Sequence, residues 1–166
     1  FKGTEDAVVF SAGFLAMMGT VSAIAAEGDV VFSDELNHAS IVVGCRLSRA
    51  QTVVYRHNDM GDLEEKLASC GQPGARLVVT DGVFSMKGTL ANLPGIRRLA
   101  DAYGARMMVD DAHGTGAVGP TGRGTPEHCG VAGRVDILTG TLGKALGGGS
   151  GGYVSARKEI IEWLRQ

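Results

Sequence analysis

The stretch Asp136-Ile137-Leu138-Thr139-Gly140-Thr141-Leu142-Gly143-Lys144 joins a short apolar run to a glycine-rich turn that ends on a lysine. Upstream, Met107-Met108-Val109-Asp110-Asp111-Ala112-His113 ends a similar apolar run on two aspartates. Runs that are continuously apolar, rather than alternating with polar residues, are typical of strands buried on both faces of a sheet. Polar residues that follow such strands lie at the edge where parallel sheets collect their ligands. The two stretches therefore predict a buried parallel sheet with a ligand site at one edge.

Comparable runs recur along the whole chain. They predict strands at 7–10, 30–33, 52–56, 77–80, 106–110, 136–140 and 152–155. Helical patterns lie between them, most clearly at 93–103, where Pro94 suits the first turn, and at 59–69, where Asp59 suits the N-cap. Alternation of strand and helix predicts an α/β fold, a mostly parallel sheet with helices on both faces.

Composition narrows the class of protein. The chain has 166 residues, 44% of them hydrophobic and 20% charged, which suits about one globular domain. A formal net charge of -2 gives no electrostatic reason to expect nucleic acid or an anionic membrane as a partner. No apolar run approaches the roughly 20 residues that span a bilayer. The three cysteines form no CxxC pair, which favours reduced thiols and a cytoplasmic setting. The chain opens on Phe1 without an initiator methionine, and 159–166 stops inside a helical pattern. We therefore expect the chain to be a piece of a larger protein.

Lys144 and Asp110 together suggest pyridoxal 5'-phosphate (PLP) as the cofactor. A lysine amine can form a Schiff base with the PLP aldehyde, and a carboxylate can keep the pyridine nitrogen protonated. Taken alone, Lys144 would be interpreted as a surface lysine in a loop, as most lysines are. A phosphate-binding Walker A motif is excluded, because Leu138 stands where it needs glycine and Ala145 where it needs Ser or Thr. Asp110 would need a cationic partner to stay charged, and a protonated ring nitrogen is such a partner.

Several other residues leave more than one interpretation open. His113 could donate to the phenolic oxygen of the cofactor or serve as a structural hydrogen-bonder. His38, at a strand-to-helix junction, could cap the helix or stack on an aromatic cofactor. The small residues of 11–15 could expose backbone N–H groups to a phosphate or form an ordinary helix start. His57 and His128 are assigned to structure, and no metal site is expected, because His128 and Cys129 lack the partners of a zinc site.

The chain resembles the α-oxoamine synthases. The segments that carry the resemblance are Asn37-His38-Ala39-Ser40, Asp81-Gly82-Val83-Phe84-Ser85-Met86, Val109-Asp110-Asp111-Ala112-His113-Gly114 and Gly140-Thr141-Leu142-Gly143-Lys144. These PLP enzymes have the fold-type-I (aspartate aminotransferase-like) architecture and join an amino acid to an acyl-CoA. The resemblance implies that 1–166 is part of the large PLP-binding domain of a homodimer, without the N-terminal segment and the C-terminal small domain.

Carried over position by position, the resemblance assigns a role to each matching residue. Lys144 would bond to the cofactor aldehyde and later act as general base, Asp110 would hold the ring nitrogen, and His38 would stack on the ring. The remaining contacts would be Ser85 and His113 near the ring oxygen, and Gly13, Phe14 and Thr141 at the phosphate. Two positions depart from the family pattern: Lys87 stands where aspartate is usual, and Met17 where asparagine is common.

The resemblance also implies a reaction. The segments 134–148 and 156–166 favour condensation of glycine with acetyl-CoA to 2-amino-3-oxobutanoate. The stretch 110–116 is equally similar to members that join L-alanine to a pimeloyl thioester with loss of carbon dioxide. Another fold-type-I enzyme, such as an aldolase or an aminotransferase, is disfavoured by the segment 37–40 and the short turn before Lys144. A non-catalytic scaffold subunit is disfavoured because Lys144 itself is present.

Overall fold

The computed structural model describes residues 1–147 and 149–166. A seven-stranded sheet forms its centre. Its strands are β1 (Asp6–Phe10), β2 (Val30–Asp34), β3 (Gln51–Tyr55), β4 (Arg76–Asp81), β7 (Arg106–Asp110), β8 (Ile137–Thr141) and β9 (Gly152–Ala156). They lie in the order β1-β9-β8-β7-β4-β2-β3. A separate hairpin consists of β5 (Val83–Phe84) and β6 (Thr89–Leu90). Each predicted strand is present with its ends within a residue of the prediction.

Five strands, β3, β2, β4, β7 and β8, pair in parallel, which confirms the predicted α/β class. β9 runs antiparallel to both β8 and β1. A parallel return from β8 would need a crossover of a dozen or more residues, usually through a helix. The described part of the connection from Thr141 to Gly152 contains no helix, and β9 pairs antiparallel with β8.

Helices cover both faces of the sheet. They are α1 (Gly13–Ile24), α2 (Ala39–Leu47), α3 (Met60–Ala68), α4 (Leu93–Ala102), α5 (Thr125–His128) and α6 (Lys158–Leu164). α1, α2 and α6 share one hydrophobic cluster with alternate residues of the strands, such as Val31 and Met108. α3 and α4 share the opposite cluster with the intervening residues, such as Phe32 and Met107. Each central strand is therefore buried on both faces, which explains its continuous apolar sequence.

Local signals set the helix boundaries. Asp59 caps α3 by accepting the backbone N–H of Asp62 at 3.0 Å, as predicted. α4 ends at Ala102, and Gly104 follows with a φ of +65°, a conformation in which glycine is favoured. Met17, one of the two departures from the family pattern, is fully buried in α1 and packs in the core. Among the described residues, no helix is both long and apolar enough to cross a membrane.

Candidate functional site

The site lies at the carboxyl edge of the sheet. β4 ends on Asp81 and β7 on Asp110, and these two aspartates are direct partners in the parallel register. They border a cavity of about 110 Å³, which we call the central cavity. Its lining consists of Gly13, Phe14, His38, Ser40, Asp81, Asp110, Ala112, His113, Thr141 and Lys144. The fold thus brings together every predicted site residue except Ser85.

Asp110 is a buried carboxyl group, only 8% exposed. Its Oδ1 accepts the backbone N–H of Ala112 at 3.0 Å. Burial raises the pKa of Asp110 above its ordinary value, against the opposing effects of the Ala112 N–H and the charge of Lys144. A carboxylate in this position is stabilised by a cation brought into the cavity, and a protonated ring nitrogen meets that need.

Lys144 and His113 face each other across the cavity. The Nζ of Lys144 lies 3.5 Å from the Nδ1 of His113. Burial lowers the pKa of His113, and the nearby charges of Lys144 and His38 lower it further. His113 is therefore a neutral imidazole at neutral pH, which leaves one ring nitrogen to donate and one to accept.

His38 is held as the N-cap of α2. Its Nδ1 accepts the backbone N–H of Ser40 at 3.2 Å and lies 2.8 Å from the hydroxyl oxygen of the same residue. The ring of Phe14 stands edge-on to the imidazole, with centroids 6.3 Å apart. The capping interpretation and the cofactor-stacking interpretation are therefore compatible, because capping uses one nitrogen and leaves the ring face in the cavity.

The start of α1 offers backbone donors to an anion. No side chain in the described chain caps this helix, so the N–H groups of its first turn are available. A Cβ atom added to Gly13 would lie 3.0 Å from the Cβ of Thr141, so a larger residue at position 13 would require Thr141 to shift by a few tenths of an ångström. Thr141 Oγ1 donates to the carbonyl of Gly151 at 3.1 Å and accepts the N–H of Gly143 at 3.3 Å. Its hydroxyl thus also shapes the turn that carries Lys144.

Ser85 lies apart from the other predicted site residues. It belongs to the β5–β6 hairpin and lines an adjoining cavity of about 350 Å³, together with Met86 and Lys87. His38 lines both cavities and separates them. The predicted role of Ser85 near the ring oxygen therefore depends on a ligand that extends past His38.

Asp81 is a site residue to which the sequence reasoning gave no role. It is 5% exposed, and burial, followed by the charge of Asp110, raises its pKa to about 7. The sequence did contain a signal, since Val78-Val79-Thr80-Asp81 ends an apolar strand on an aspartate just as the strand before Asp110 does.

Asp111 has a structural role on the other side of the strand end. Its fully buried carboxylate accepts from Lys2 Nζ at 2.7 Å, from Thr115 Oγ1 at 3.0 Å, and from the backbone N–H and the hydroxyl of Thr125 at 3.0 and 2.7 Å. These bonds tie down the loop that begins at Asp111 and carries His113. Consecutive residues of one strand end thus point to opposite sides, one to the cavity and one to its supporting loop.

Comparison with protein families places these residues in a known group. The family model for aminotransferase class I and II matches residues 1–166. The 2-amino-3-ketobutyrate coenzyme A ligase of Escherichia coli (strain K12) is 55% identical over 168 residues, which cover 100% of this chain and 42% of the relative. An 8-amino-7-oxononanoate synthase of Geobacter sulfurreducens is 57% identical over 164 residues, covering 99% of this chain and 42% of the relative. The chain thus spans less than half the length of these relatives.

Solved structures agree with the sequence comparison. The serine palmitoyltransferase of Sphingomonas wittichii has a TM-score of 0.93 and 40% identity, covering 99% of this chain and 41% of the relative. A structure of SPT with a PLP internal aldimine matches with the same TM-score, identity and coverage. The 8-amino-7-oxononanoate synthase of Francisella tularensis matches with a TM-score of 0.84 and 30% identity, covering 98% of this chain and 46% of the relative. The predicted resemblance to α-oxoamine synthases is confirmed by these relatives, and the chain belongs to the aminotransferase class I and II family.

Proposed function

We propose that residues 1–166 form part of the PLP-binding large domain of an α-oxoamine synthase that acts in the cytoplasm as a homodimer. The observation that carries the proposal is the joint position of the Asp110 carboxyl and the Lys144 amine in the central cavity. The residues fit PLP in three respects: a buried carboxyl in need of a cation, an amine that lines the same cavity, and an uncapped helix start that can bind phosphate. A solved relative is described with PLP.

When bound, PLP supplies an electrophilic aldehyde and a ring that withdraws electrons from the α-carbon of an amino acid. Asp110 would hold the ring nitrogen protonated, which would strengthen that withdrawal. His38 would cover one face of the ring and exclude water from it. Lys144 would hold the aldehyde, and its Nζ would serve as general base for the α-proton of the amino acid. The lowered pKa of His113 favours the neutral imidazole at 3.5 Å from that amine.

For the reaction, we favour condensation of glycine with acetyl-CoA to 2-amino-3-oxobutanoate and CoA. A carbon–carbon bond forms at the α-carbon of glycine, and CoA leaves as the thiol. The resemblance of 134–148 and 156–166 to glycine C-acetyltransferases supports this choice. The alternative is condensation of L-alanine with a pimeloyl thioester, because an 8-amino-7-oxononanoate synthase is 57% identical to the chain.

The experiment uses the full-length protein loaded with PLP. Glycine, L-alanine and L-serine are titrated separately while the visible absorption band is recorded, and CoA release is then measured with acetyl-CoA and with a pimeloyl thioester. A band shift at low glycine concentration, with CoA release from acetyl-CoA, is expected. Preference for L-alanine with the pimeloyl thioester would establish the alternative.

Lys144→Ala provides the internal control. We expect this variant to lose the visible band of the lysine-bound cofactor and all measurable CoA release. Lys158→Ala is the matched control, because Lys158 is an exposed lysine paired with Glu162 at 3.6 Å, and it should behave as the parent does. A normal band in Lys144→Ala would refute the assignment of Lys144.

A further inference from the structure

A second carboxyl group lies beside the one that the proposed function uses. Asp81 and Asp110 are register partners at the ends of adjacent parallel strands, and both line the central cavity. Adjacent buried carboxyl groups repel when both are ionised, and each loses the solvation that water would give. Such an arrangement costs stability, so its presence requires a compensating role.

The contacts of Asp81 point to that role. Its Oδ2 accepts the backbone N–H of His38 at 2.7 Å. Its own backbone N–H donates to the side-chain oxygen of Asn37 at 2.9 Å, while the amide nitrogen of Asn37 donates to Ser33 Oγ and to the carbonyl of Val79, both at 2.9 Å. Asn37 and His38, the two residues before α2, are therefore both hydrogen-bonded to the end of β4. Asn37 bonds to Val79 and Asp81, and His38 bonds to Asp81.

These bonds determine where the imidazole of His38 lies. The backbone N–H of His38 is fixed by Asp81, and the ring nitrogen Nδ1 is fixed by the N–H of Ser40 at 3.2 Å. With the main chain and the ring both held, the imidazole has little freedom to move within the cavity. The Asp81 bond is the longer-range of the two, since it crosses from the start of α2 to β4.

We propose that Asp81 is a positioning residue of the cofactor site, one that sets the imidazole of His38 over the cofactor ring by holding its backbone N–H. The inference rests on the proposed function, because it needs a planar ring in the central cavity. Asp81 acts through His38 and does not itself touch the reacting atoms.

The charges around Asp81 support this role. Asp110 and, more weakly, Asp34 raise its pKa in addition to burial, whereas the His38 N–H and the charge of Lys144 lower it. An amide at position 81 would keep an oxygen able to accept the His38 N–H and would remove the repulsion from Asp110. Asp81→Asn is therefore expected to preserve positioning, while Asp81→Ala removes it.

The test compares Asp81→Asn and Asp81→Ala with Asp59→Asn, in the full-length protein. Asp59 is the matched control, because it also accepts a backbone N–H ahead of a helix, at 3.0 Å, but lies outside the cavity lining. The readouts are the dissociation constant of PLP from an absorbance titration and the visible circular dichroism of the bound cofactor, which reports how asymmetrically its ring is held.

We expect Asp81→Ala to weaken PLP binding by roughly three- to tenfold, the effect of losing one hydrogen bond of ordinary strength. Its visible circular dichroism should also fall, while Asp81→Asn and Asp59→Asn stay close to the parent in both readouts. Far-ultraviolet circular dichroism identifies a variant that has not folded. If Asp81→Ala has not folded, the visible circular dichroism of the near-isosteric Asp81→Asn variant decides the test.

Three outcomes would overturn the proposal: unchanged binding and dichroism in Asp81→Ala, equal losses in the Asn and Ala variants, or equal losses in Asp59→Asn. Failure of the proposed function itself is distinguishable, because the parent protein would then show no cofactor band at all.

Discussion

The buried carboxylate of Asp111 allows a quantitative prediction about stability. In Asp111→Ala, the ammonium group of Lys2 loses its carboxylate partner, and Lys2 has a side chain only 7% exposed. The backbone N–H and hydroxyl of Thr125 lose their acceptor at the same time. Thr115 is affected less, because its hydroxyl also contacts the hydroxyl of Tyr153 at 2.8 Å.

The expected cost follows from these contacts. Removing one member of a buried ion pair costs about 3–5 kcal/mol, because the other charge stays buried without compensation. The carbonyl of Arg123, 2.6 Å from Lys2 Nζ, offsets part of that cost. The Thr125 donors each add about 1–3 kcal/mol if they stay buried without a partner. We therefore expect Asp111→Ala to lower the free energy of unfolding by at least about 3–5 kcal/mol.

The assay is equilibrium unfolding of the full-length protein in urea, followed by far-ultraviolet circular dichroism. Glu162→Ala is the control, because it removes the partner of Lys158 in an exposed pair, where the expected cost is below about 1 kcal/mol. A loss below about 1 kcal/mol for Asp111→Ala, equal to the control, would refute the reasoning that this carboxylate holds the loop together.

Other predictions concern the core, a turn and the pH dependence of stability. Leu99→Ala should cost about 2–5 kcal/mol in the same urea assay, because Leu99 is fully buried in α4, and a cost under 1 kcal/mol would contradict its place in the core. Gly124→Ala should lower the melting temperature, since Gly124 has a φ of +101° and its new Cβ would overlap the Asp111 carboxylate; an unchanged melting temperature would count against that geometry. Burial and Asp110 raise the pKa of Asp81 from 3.8 to about 7, so its contribution to the stability of the cofactor-free protein is fully present below about pH 4 and is lost as the pH rises through about 7. The free energy of unfolding in urea should therefore fall less between pH 5 and pH 8 in Asp81→Asn than in the parent. Equal decreases in the two proteins would argue against a raised pKa of Asp81.

Much of the fold follows from local patterns in the sequence. The continuously apolar strands, the stripe and Pro94 of α4, and Asp59 ahead of α3 are all short-range signals that tertiary packing left in place. The candidate residues Lys144 and Asp110 were identifiable for a related reason. Asp110 ends one predicted strand and Lys144 follows another, and strand ends of a parallel sheet share one edge.

Other features depend on contacts between distant parts of the chain. β9 pairs antiparallel with β8, and no apolar pattern in the sequence indicates that direction. Ser85 has the residue type expected at a cofactor, yet the β5–β6 hairpin places it in the adjoining cavity. Met17 departs from the family pattern without disturbing the fold, because α1 turns it into the core.

The sequence by itself determined the α/β class, the strand and helix positions and the family, because these rest on periodicity, capping residues and local motifs. Only the tertiary structure decided which aspartates share the central cavity. Asp110 and Asp111 are neighbours in sequence but point to opposite sides, whereas Asp81 and Asp110 lie far apart in the chain and meet through the register of β4 and β7. The physical reason is that strand register and side-chain direction are set by packing across the whole sheet, which no single segment encodes.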